Sequence, residues 1–173
     1  MKYGLAFVAA SFLALLQVSL TPYLEVLGVA PDLVLIFAAS WAVVRGQDEA
    51  VVVVPVAGFL RDFVTSDPLG TSALALAPIV LLAAAVRLRS VDTQFIPTAL
   101  VVASGSLTYG IISMTVLALT GQTIAWTDAV FGVLLPACLV NAVFTPLVYV
   151  PVHLLSASEG RRIVGTRRLT SPL

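Results

Sequence analysis

Residues 95–119 read FIPTALVVASGSLTYGIISMTVLAL, a stretch of 25 residues without a charged side chain. A helix needs about 20 mostly apolar residues to cross the hydrocarbon core of a bilayer, because each residue adds about 1.5 Å. This stretch exceeds that length. It therefore predicts a membrane-spanning helix.

Five further apolar stretches lie between the small groups of charges elsewhere in the chain. We place their helices near residues 4–20, 29–44, 50–64, 68–86 and 129–153. The sequence therefore predicts an all-α integral membrane protein, a compact bundle of about six transmembrane helices. No internal repeat or Gly/Ser linker divides the chain. We expect one polytopic membrane domain over residues 1–160 and a basic cytoplasmic tail over residues 161–173.

The composition of the whole chain agrees with a membrane protein. Of the 173 residues, 60% are hydrophobic and 10% are charged, whereas soluble domains have about 45–50% apolar and about 25% charged residues. Nine basic and nine acidic residues leave no net charge, which argues against nucleic-acid binding. These values exclude an ordinary soluble enzyme and a disordered chain.

Residues 1–20 have a second interpretation as a cleaved signal peptide. The apolar run is long, no A-x-A site follows it, and five more hydrophobic segments come after it. These features favour a retained first helix.

The second and third spans are short, so they also have two interpretations. Fifteen helical residues reach about 22 Å, less than the hydrocarbon core of about 30 Å. The two helices either cross a locally thinned bilayer or form a re-entrant hairpin. The hairpin would draw Arg45, Asp48 and Glu49 toward mid-membrane, at about 2.5–3.5 kcal/mol per charge. Full crossing is therefore favoured.

The basic residues predict the orientation of the bundle, because Lys and Arg accumulate in short cytoplasmic loops and tails. With six spans, Arg61 falls on one side and all the other basic residues fall on the opposite side. The N and C termini are therefore expected in the cytoplasm. The C-terminal arginines either only determine topology, which we favour, or also contact anionic lipid headgroups. The basic residues of the cytoplasmic side are Lys2, Arg45, Arg87, Arg89, Arg161, Arg162, Arg167 and Arg168.

Three aspartates lie at predicted helix starts on the outer side. Asp32, Asp67 and Asp128 each accompany a proline or a cap residue. A carboxylate at a helix N-terminus accepts backbone N–H groups and interacts favourably with the helix dipole. Helix capping is the simplest interpretation of all three, and for Asp128 it suffices.

Asp62 and Arg61 lie at the end of an apolar helix, where no helix start needs an acidic cap. The two side chains point about 100° apart on a helix, so they do not pair with each other. We therefore expect unpaired outer-side charge. Two interpretations stay open for Asp32, Arg61 and Asp62: structural pairing inside the bundle, or contact with a partner or ligand.

Two stripes of small residues favour close helix approach. Ser106, Gly110 and Ser113 share one face of the fifth span. Ala6, Ala10 and Ala14 follow each other at four-residue steps in the first span. Packing inside the bundle and docking to another protein explain both stripes equally well. Asn141, in the sixth span, is expected to bond backbone freed by nearby prolines or to line a cavity.

Catalytic chemistry has little support in the sequence. The chain has no H-E-x-x-H, P-loop or G-x-S-x-G motif, and one histidine and one cysteine do not make a typical zinc site. The one candidate acid–base pair is Asp32 with Asp62, with no obvious nucleophile or metal beside it. We expect no enzymatic activity, no metal and no cofactor.

Two segments resemble a known family. Ala30-Pro31-Asp32-Leu33-Val34-Leu35-Ile36 resembles the P-D-L-hydrophobic start of the second helix in the rod shape-determining protein D family, MreD. Gly58-Phe59-Leu60-Arg61-Asp62 with Pro68-Leu69-Gly70-Thr71-Ser72-Ala73-Leu74 is similar to that family's G-x-x-x-D…P-L-G-x-x-A-L element. The spacing, the six spans and the chain length also fit. The chain departs from the family pattern at Val54, often glycine there, and at Arg61, usually apolar.

The resemblance implies a multi-pass protein of the bacterial cytoplasmic (inner) membrane that takes part in cell elongation and peptidoglycan synthesis. The implied partner is an MreC-like single-span protein, associated with a RodA-like transglycosylase, a class B penicillin-binding protein and an MreB-like filament. The family is also thought to be similar in fold to the S-components of vitamin transporters. That similarity supplies the alternative, a small-molecule-binding transporter subunit that docks through Ala6, Ala10 and Ala14.

We therefore predict a non-catalytic membrane scaffold that binds the transmembrane and juxtamembrane part of its partner in a recess on the outer side. Asp32, Arg61, Asp62 and Asp67 are the candidate polar contacts or supports of that recess. Gly58 and Gly70 are expected to permit close backbone approach.

Overall fold

The computed structural model describes the backbone of residues 2–26, 28–65, 68–87 and 94–169, with the side chains of Lys2, Pro22 and residues 157–169 excepted. These residues form six helices, a short 3₁₀ turn (Thr21–Tyr23) and the loops that connect them, and they contain no β-strand. The helices are α1 (Lys2–Leu20), α2 (Leu33–Arg45), α3 (Gln47–Val64), α4 (Thr71–Arg87), α5 (Phe95–Leu119) and α6, which begins at Trp126–Ala129, passes through a π-helical segment (Val130–Leu134) and continues as Leu135–Leu169.

The all-helical prediction is confirmed, and the helix bounds lie within four residues of the predicted ones, except that the last helix extends to Leu169 rather than to position 153. Three helical segments are long and apolar enough to cross a membrane: Tyr3–Leu20, Phe95–Leu119 and Trp126–Ser156. The apolar helices α2 and α4 are shorter. The second helix begins at Leu33, later than the predicted position 29, because Asp32 caps it.

Helix α2 forms the centre of the bundle. It packs against every other helix, and its residues Leu33–Val44 are all buried. Its sequence is apolar on every face, as expected for a helix surrounded by protein. Thirteen residues reach about 20 Å, and neighbouring helices rather than lipid cover most of this length. The shortness of α2 is therefore accommodated by protein packing.

Helix α1 packs on α2 and α3 through its small-residue stripe. Ala6, Ala10 and Ala14 are buried there, whereas Phe7, Phe12 and other large side chains of α1 are exposed. The three alanines are covered by this chain itself. Of the two interpretations of this stripe, the structure therefore shows packing inside the bundle rather than an open docking face.

Helices α3 and α4 approach each other closely at Gly58. A Cβ atom added at Gly58 would lie 2.5 Å from Cα of Ala73 and 2.6 Å from its backbone nitrogen. No side chain fits this gap, so glycine at position 58 lets the two backbones pack together.

The turn between α2 and α3 holds charged residues at one end of the bundle. Gly46 adopts φ of 101° in this turn. Nε of Arg45 lies 3.7 Å from Oε2 of Glu49, and Cζ of Arg45 lies 4.9 Å from the centre of the Trp41 ring. The Arg87 side chain donates to the carbonyl of Val44. We call this the Arg45 end and the opposite end the Asp32 end.

Candidate functional site

Asp32 connects three elements at the start of α2. Its Oδ1 atom accepts the backbone N–H of Leu35 at 3.0 Å, so it is the N-cap of this helix. Gln17 of α1 adds a second cap, because its Oε1 accepts the backbone N–H of Val34 at 3.2 Å. The backbone N–H of Asp32 donates to Oδ1 of Asn141 on α6 at 2.7 Å.

Arg61 pairs with the other oxygen of the same carboxylate. Its Nη1 atom lies 2.5 Å from Oδ2 of Asp32, and the two side chains are only 14% and 11% exposed. The guanidinium also lies over the ring of Tyr109, 4.5 Å from the ring centre, which adds a cation–π contact. The opposite charges of the two side chains therefore balance each other.

Asp62 caps a neighbouring helix. The side chain is buried, and its two oxygens accept the backbone N–H of Gly70 at 2.7 Å and of Ser72 at 3.0 Å. Gly70 has φ of 91° at this turn, a conformation that favours glycine. Asp62 thus holds the start of α4 against the end of α3.

The expectation of unpaired charge at Arg61 and Asp62 is therefore wrong, and of the two interpretations left open the structure shows pairing inside the bundle. Both residues lie at the end of α3, but each serves another helix: Arg61 reaches the start of α2, and Asp62 reaches the start of α4. Asp32 and Asp62 also do not form an acid–base pair, because each carboxylate accepts from a different helix start.

A second layer of hydrogen bonds joins α4, α5 and α6 to this network. Nδ2 of Asn141 donates to the hydroxyl of Ser106 at 2.9 Å. The hydroxyls of Ser72 and Tyr109 lie 3.1 Å apart. The sequence indicated Asn141 and Ser106, but Gln17, Ser72 and Tyr109 were missed. Gln17, a polar residue inside an otherwise apolar span, was a usable signal.

A recess of about 540 Å³ lies above this network at the Asp32 end. Asp32, Arg61 and Asn141 lie at its floor, and its walls are mostly apolar. Among the described residues, α1 makes no close contact with α5 or α6, so packing between α1 and these two helices does not close the recess. Its lining residues are Gln17, Thr21, Gly28, Val29, Ala30, Pro31, Asp32, Leu35, Arg61, Ser106, Tyr109, Gly110, Ser113, Met114, Leu117, Ala129, Val133, Leu134, Ala137 and Asn141.

The floor of the recess lies deep between α5 and α6. Ser106 precedes the end of α5 at Leu119 by 13 residues, and Asn141 follows the start of α6 at Trp126 by 15 residues. Both separations correspond to about 20 Å of helix. The ends of α5 and α6 therefore extend well beyond the level at which α2 begins.

The other predicted residues fall into separate places. Ser106, Gly110 and Ser113 all line the recess, and the missing side chain of Gly110 leaves room for Leu134. Asp67 lies outside the described residues. Asp128 is exposed in the first turn of α6. Across the described ranges, no group of three or more His, Cys, Asp or Glu side chains is positioned to hold a metal ion.

The described residues form a helical bundle around a buried α2, with three helices long and apolar enough to cross a membrane, and this arrangement is typical of a helical membrane protein. The sequence model of the family described as rod shape-determining protein MreD matches residues 2–158. The chain therefore belongs to the MreD family, as the two sequence segments predicted. Neither the curated proteins nor the solved structures give a significant match.

Membership assigns the chain to the bacterial membrane proteins that determine rod shape. Members of this family are shape-determining structural components and are not known as enzymes. The residues that remain to be interpreted are those of the recess at the Asp32 end.

Proposed function

We propose that this protein is a non-catalytic membrane scaffold of the bacterial cell-elongation complex and that its recess binds the transmembrane and juxtamembrane part of an MreC-like single-span protein. The observation that carries this proposal is the recess itself. It lies at the Asp32 end of the bundle, is not closed by contacts between α1 and either α5 or α6 among the described residues, and has mostly apolar walls around the polar residues Asp32, Arg61 and Asn141.

The proposed topology is a multi-pass protein of the inner membrane, with six crossings and both termini in the cytoplasm. Arg45 and Arg87 lie at one end of the bundle and Arg61 near the other, in agreement with cytoplasmic accumulation of basic residues. The Asp32 end then faces the periplasm. Residues 1–160 form one membrane domain in this proposal, and residues 161–173 form a basic tail beside the lipid headgroups.

The lining of the recess supports a helix as its occupant. Much of this lining comes from α5 and α6, and most of the lining residues of these two helices are apolar or small. A partner helix in this gap would contact Met114, Leu117 and Val133. Close packing of this kind drives helix association inside membranes.

The polar network is the support of the recess in this proposal. The Asp32–Arg61 pair and the Asp62 cap hold the ends of α2, α3 and α4 in register. A scaffold with a fixed recess does not lose conformational freedom when it binds, which favours affinity. The partner would in turn connect it to a RodA-like transglycosylase, a class B penicillin-binding protein and an MreB-like filament.

Co-purification from native membranes tests this proposal. Leu117→Trp fills the recess from its wall, whereas Leu119→Trp places the same side chain two residues away at a position that is 83% exposed and outside the recess. We expect recovery of the single-span partner to fall at least tenfold for Leu117→Trp and to change less than twofold for Leu119→Trp.

A second set of variants tests the polar support. Combined replacement of Asp32, Arg61 and Asp62 is expected to weaken partner recovery while the protein still inserts into the membrane. Unchanged recovery in both this triple variant and Leu117→Trp would contradict the proposal.

A small-molecule-binding transporter subunit is the second candidate function. A volume of about 540 Å³ falls within the usual range for small-molecule sites, about 300–1,000 Å³. However, the recess is open on one side, and among its lining residues only Tyr109 is aromatic. Native mass spectrometry distinguishes the two functions: a retained small molecule that Leu117→Trp displaces would favour the transporter subunit.

A further inference from the structure

We propose that the partner helix carries an uncharged hydrogen-bonding side chain, Ser, Thr, Asn or Gln, near the middle of its membrane span, and that this side chain meets the floor of the recess. This inference rests on the proposed function, because it specifies the chemistry of the partner at the same recess. Three observations support it: the charge of the floor, its remaining hydrogen-bonding groups and its depth.

The floor carries no net charge. Within the described part of the chain, Asp32 and Arg61 are the acidic and basic residues that line the recess, and they pair with each other. A charged side chain on the partner would find no opposite charge there, and an unpaired charge at membrane depth is costly. The floor therefore favours an uncharged occupant.

The floor still offers hydrogen-bond donors. The oxygen of Gln17 accepts from Val34, and we find no hydrogen bond from its amide nitrogen within the described chain. The amide nitrogen of Asn141 has two N–H groups, of which one donates to Ser106. A purely apolar helix over these groups would bury them without acceptors, which is unfavourable. An oxygen-bearing side chain removes this cost.

The depth of the floor sets the position of that side chain. Ser106 and Asn141 lie 13 and 15 residues from the nearby ends of α5 and α6, or about 20 Å below them. A partner helix that runs beside α5 and α6 reaches this level about 10–14 residues from its own periplasmic end, at 1.5 Å per residue. The expected position is the middle of its span.

Substitutions in both proteins test the inference. Each Ser, Thr, Asn and Gln in the span of the MreC-like protein is replaced by alanine or leucine, and binding to the full-length chain is measured in detergent micelles. We expect one replacement near mid-span to weaken binding by about threefold to thirtyfold, the range typical of one hydrogen bond between membrane helices.

The same contact is then removed from this chain. Gln17→Met is expected to weaken binding, and to have less than its full effect when the critical partner residue is already replaced. Gln122→Met is the matched control, because Gln122 is exposed in the α5–α6 connection and does not line the recess. Non-additive effects of the two substitutions on the binding free energy would show direct contact. A purely structural defect at the hydrogen bond between Gln17 and Val34 would instead weaken binding of the wild-type and of the substituted partner equally.

The outcomes distinguish the two proposals. If the partner binds, and Leu117→Trp prevents binding, but every polar replacement in its span leaves affinity within twofold, this inference is wrong and the proposed function stands. Full additivity between Gln17→Met and the partner replacement also overturns the inference. If the partner does not bind, or a lipid alone occupies the recess, both proposals fail.

Discussion

Nη1 of Arg61 lies 2.5 Å from Oδ2 of Asp32, although 29 residues separate the two in the chain. This contact ties the end of α3 to the start of α2. The same aspartate also caps α2 and donates its backbone N–H to Asn141 of α6. One residue therefore fixes the relative positions of three helices at the floor of the recess.

The ion pair is expected to contribute measurably to stability. Asp32→Asn keeps an N-cap side chain at α2 and removes the charge, whereas Arg61→Met removes the opposite charge. We expect the double variant to be less destabilised than the sum of the singles, with a coupling energy of about 1–3 kcal/mol. Unfolding in mixed detergent micelles measures all four proteins. Additive effects would show that the pair adds nothing beyond its separate hydrogen bonds.

Asp62, which caps α4, is expected to contribute more to the free energy of unfolding than a surface carboxylate does. Asp62→Ala leaves the backbone N–H groups of Gly70 and Ser72 without their acceptor, at an expected cost of about 2–3 kcal/mol in unfolding free energy. Asp62→Asn keeps one acceptor and is expected to cost less. Asp128→Ala is the matched control, because Asp128 is exposed, and its effect should stay within about 0.5 kcal/mol. Equal effects at the two positions would refute the cap.

The contact between α3 and α4 predicts a strong effect of one added methyl group. Gly58→Ala places a Cβ atom against the backbone of Ala73, so the helices must separate, at about 1–3 kcal/mol. Gly132→Ala meets no atom within 4 Å and should not destabilise the protein. The test is the difference in thermal unfolding midpoint between the two alanine variants. Equal unfolding midpoints would mean that α3 and α4 can separate at Gly58 without loss of stability.

The hydrogen bond between Ser106 and Asn141 provides a test at the floor of the recess. Ser106→Ala removes the hydroxyl that accepts from Asn141, at an expected cost of about 1–2 kcal/mol. Ser104→Ala is the control on the same helix, because the hydroxyl of Ser104 donates to the carbonyl of Leu100 in its own helix. The difference in unfolding free energy isolates the contact between helices. If Ser106 served only as a small side chain that lets the helices approach, Ser106→Ala and Ser104→Ala would have the same unfolding free energy.

The helices were predictable because their apolar stretches are long and uncharged. Residues 95–119 give α5 directly, and the resemblance at residues 30–36 and 58–74 identified the family. Capping by Asp32 was also predictable, since the residue precedes an apolar run and belongs to the helix that it caps.

The partners of Arg61 and Asp62 were not predictable from the sequence. Local spacing places both residues at the end of α3, where an acidic cap has no use. Their partners are the starts of α2 and α4, which come close to the end of α3 only when the bundle is packed. The burial of Ala6 and its neighbours likewise depends on which helix α1 contacts. Periodicity identifies a face, but packing decides what covers it.

Site-specific photo-cross-linking tests the central claim, that the recess holds the partner helix. A photoreactive amino acid replaces Met114, which lines the recess, or Ile111, which is exposed and does not line the recess. Cells that express both proteins are irradiated, and the adducts are identified by mass. We expect a covalent adduct between position 114 and the membrane span of the single-span partner, and none from position 111. An adduct from 111 with none from 114 would contradict it.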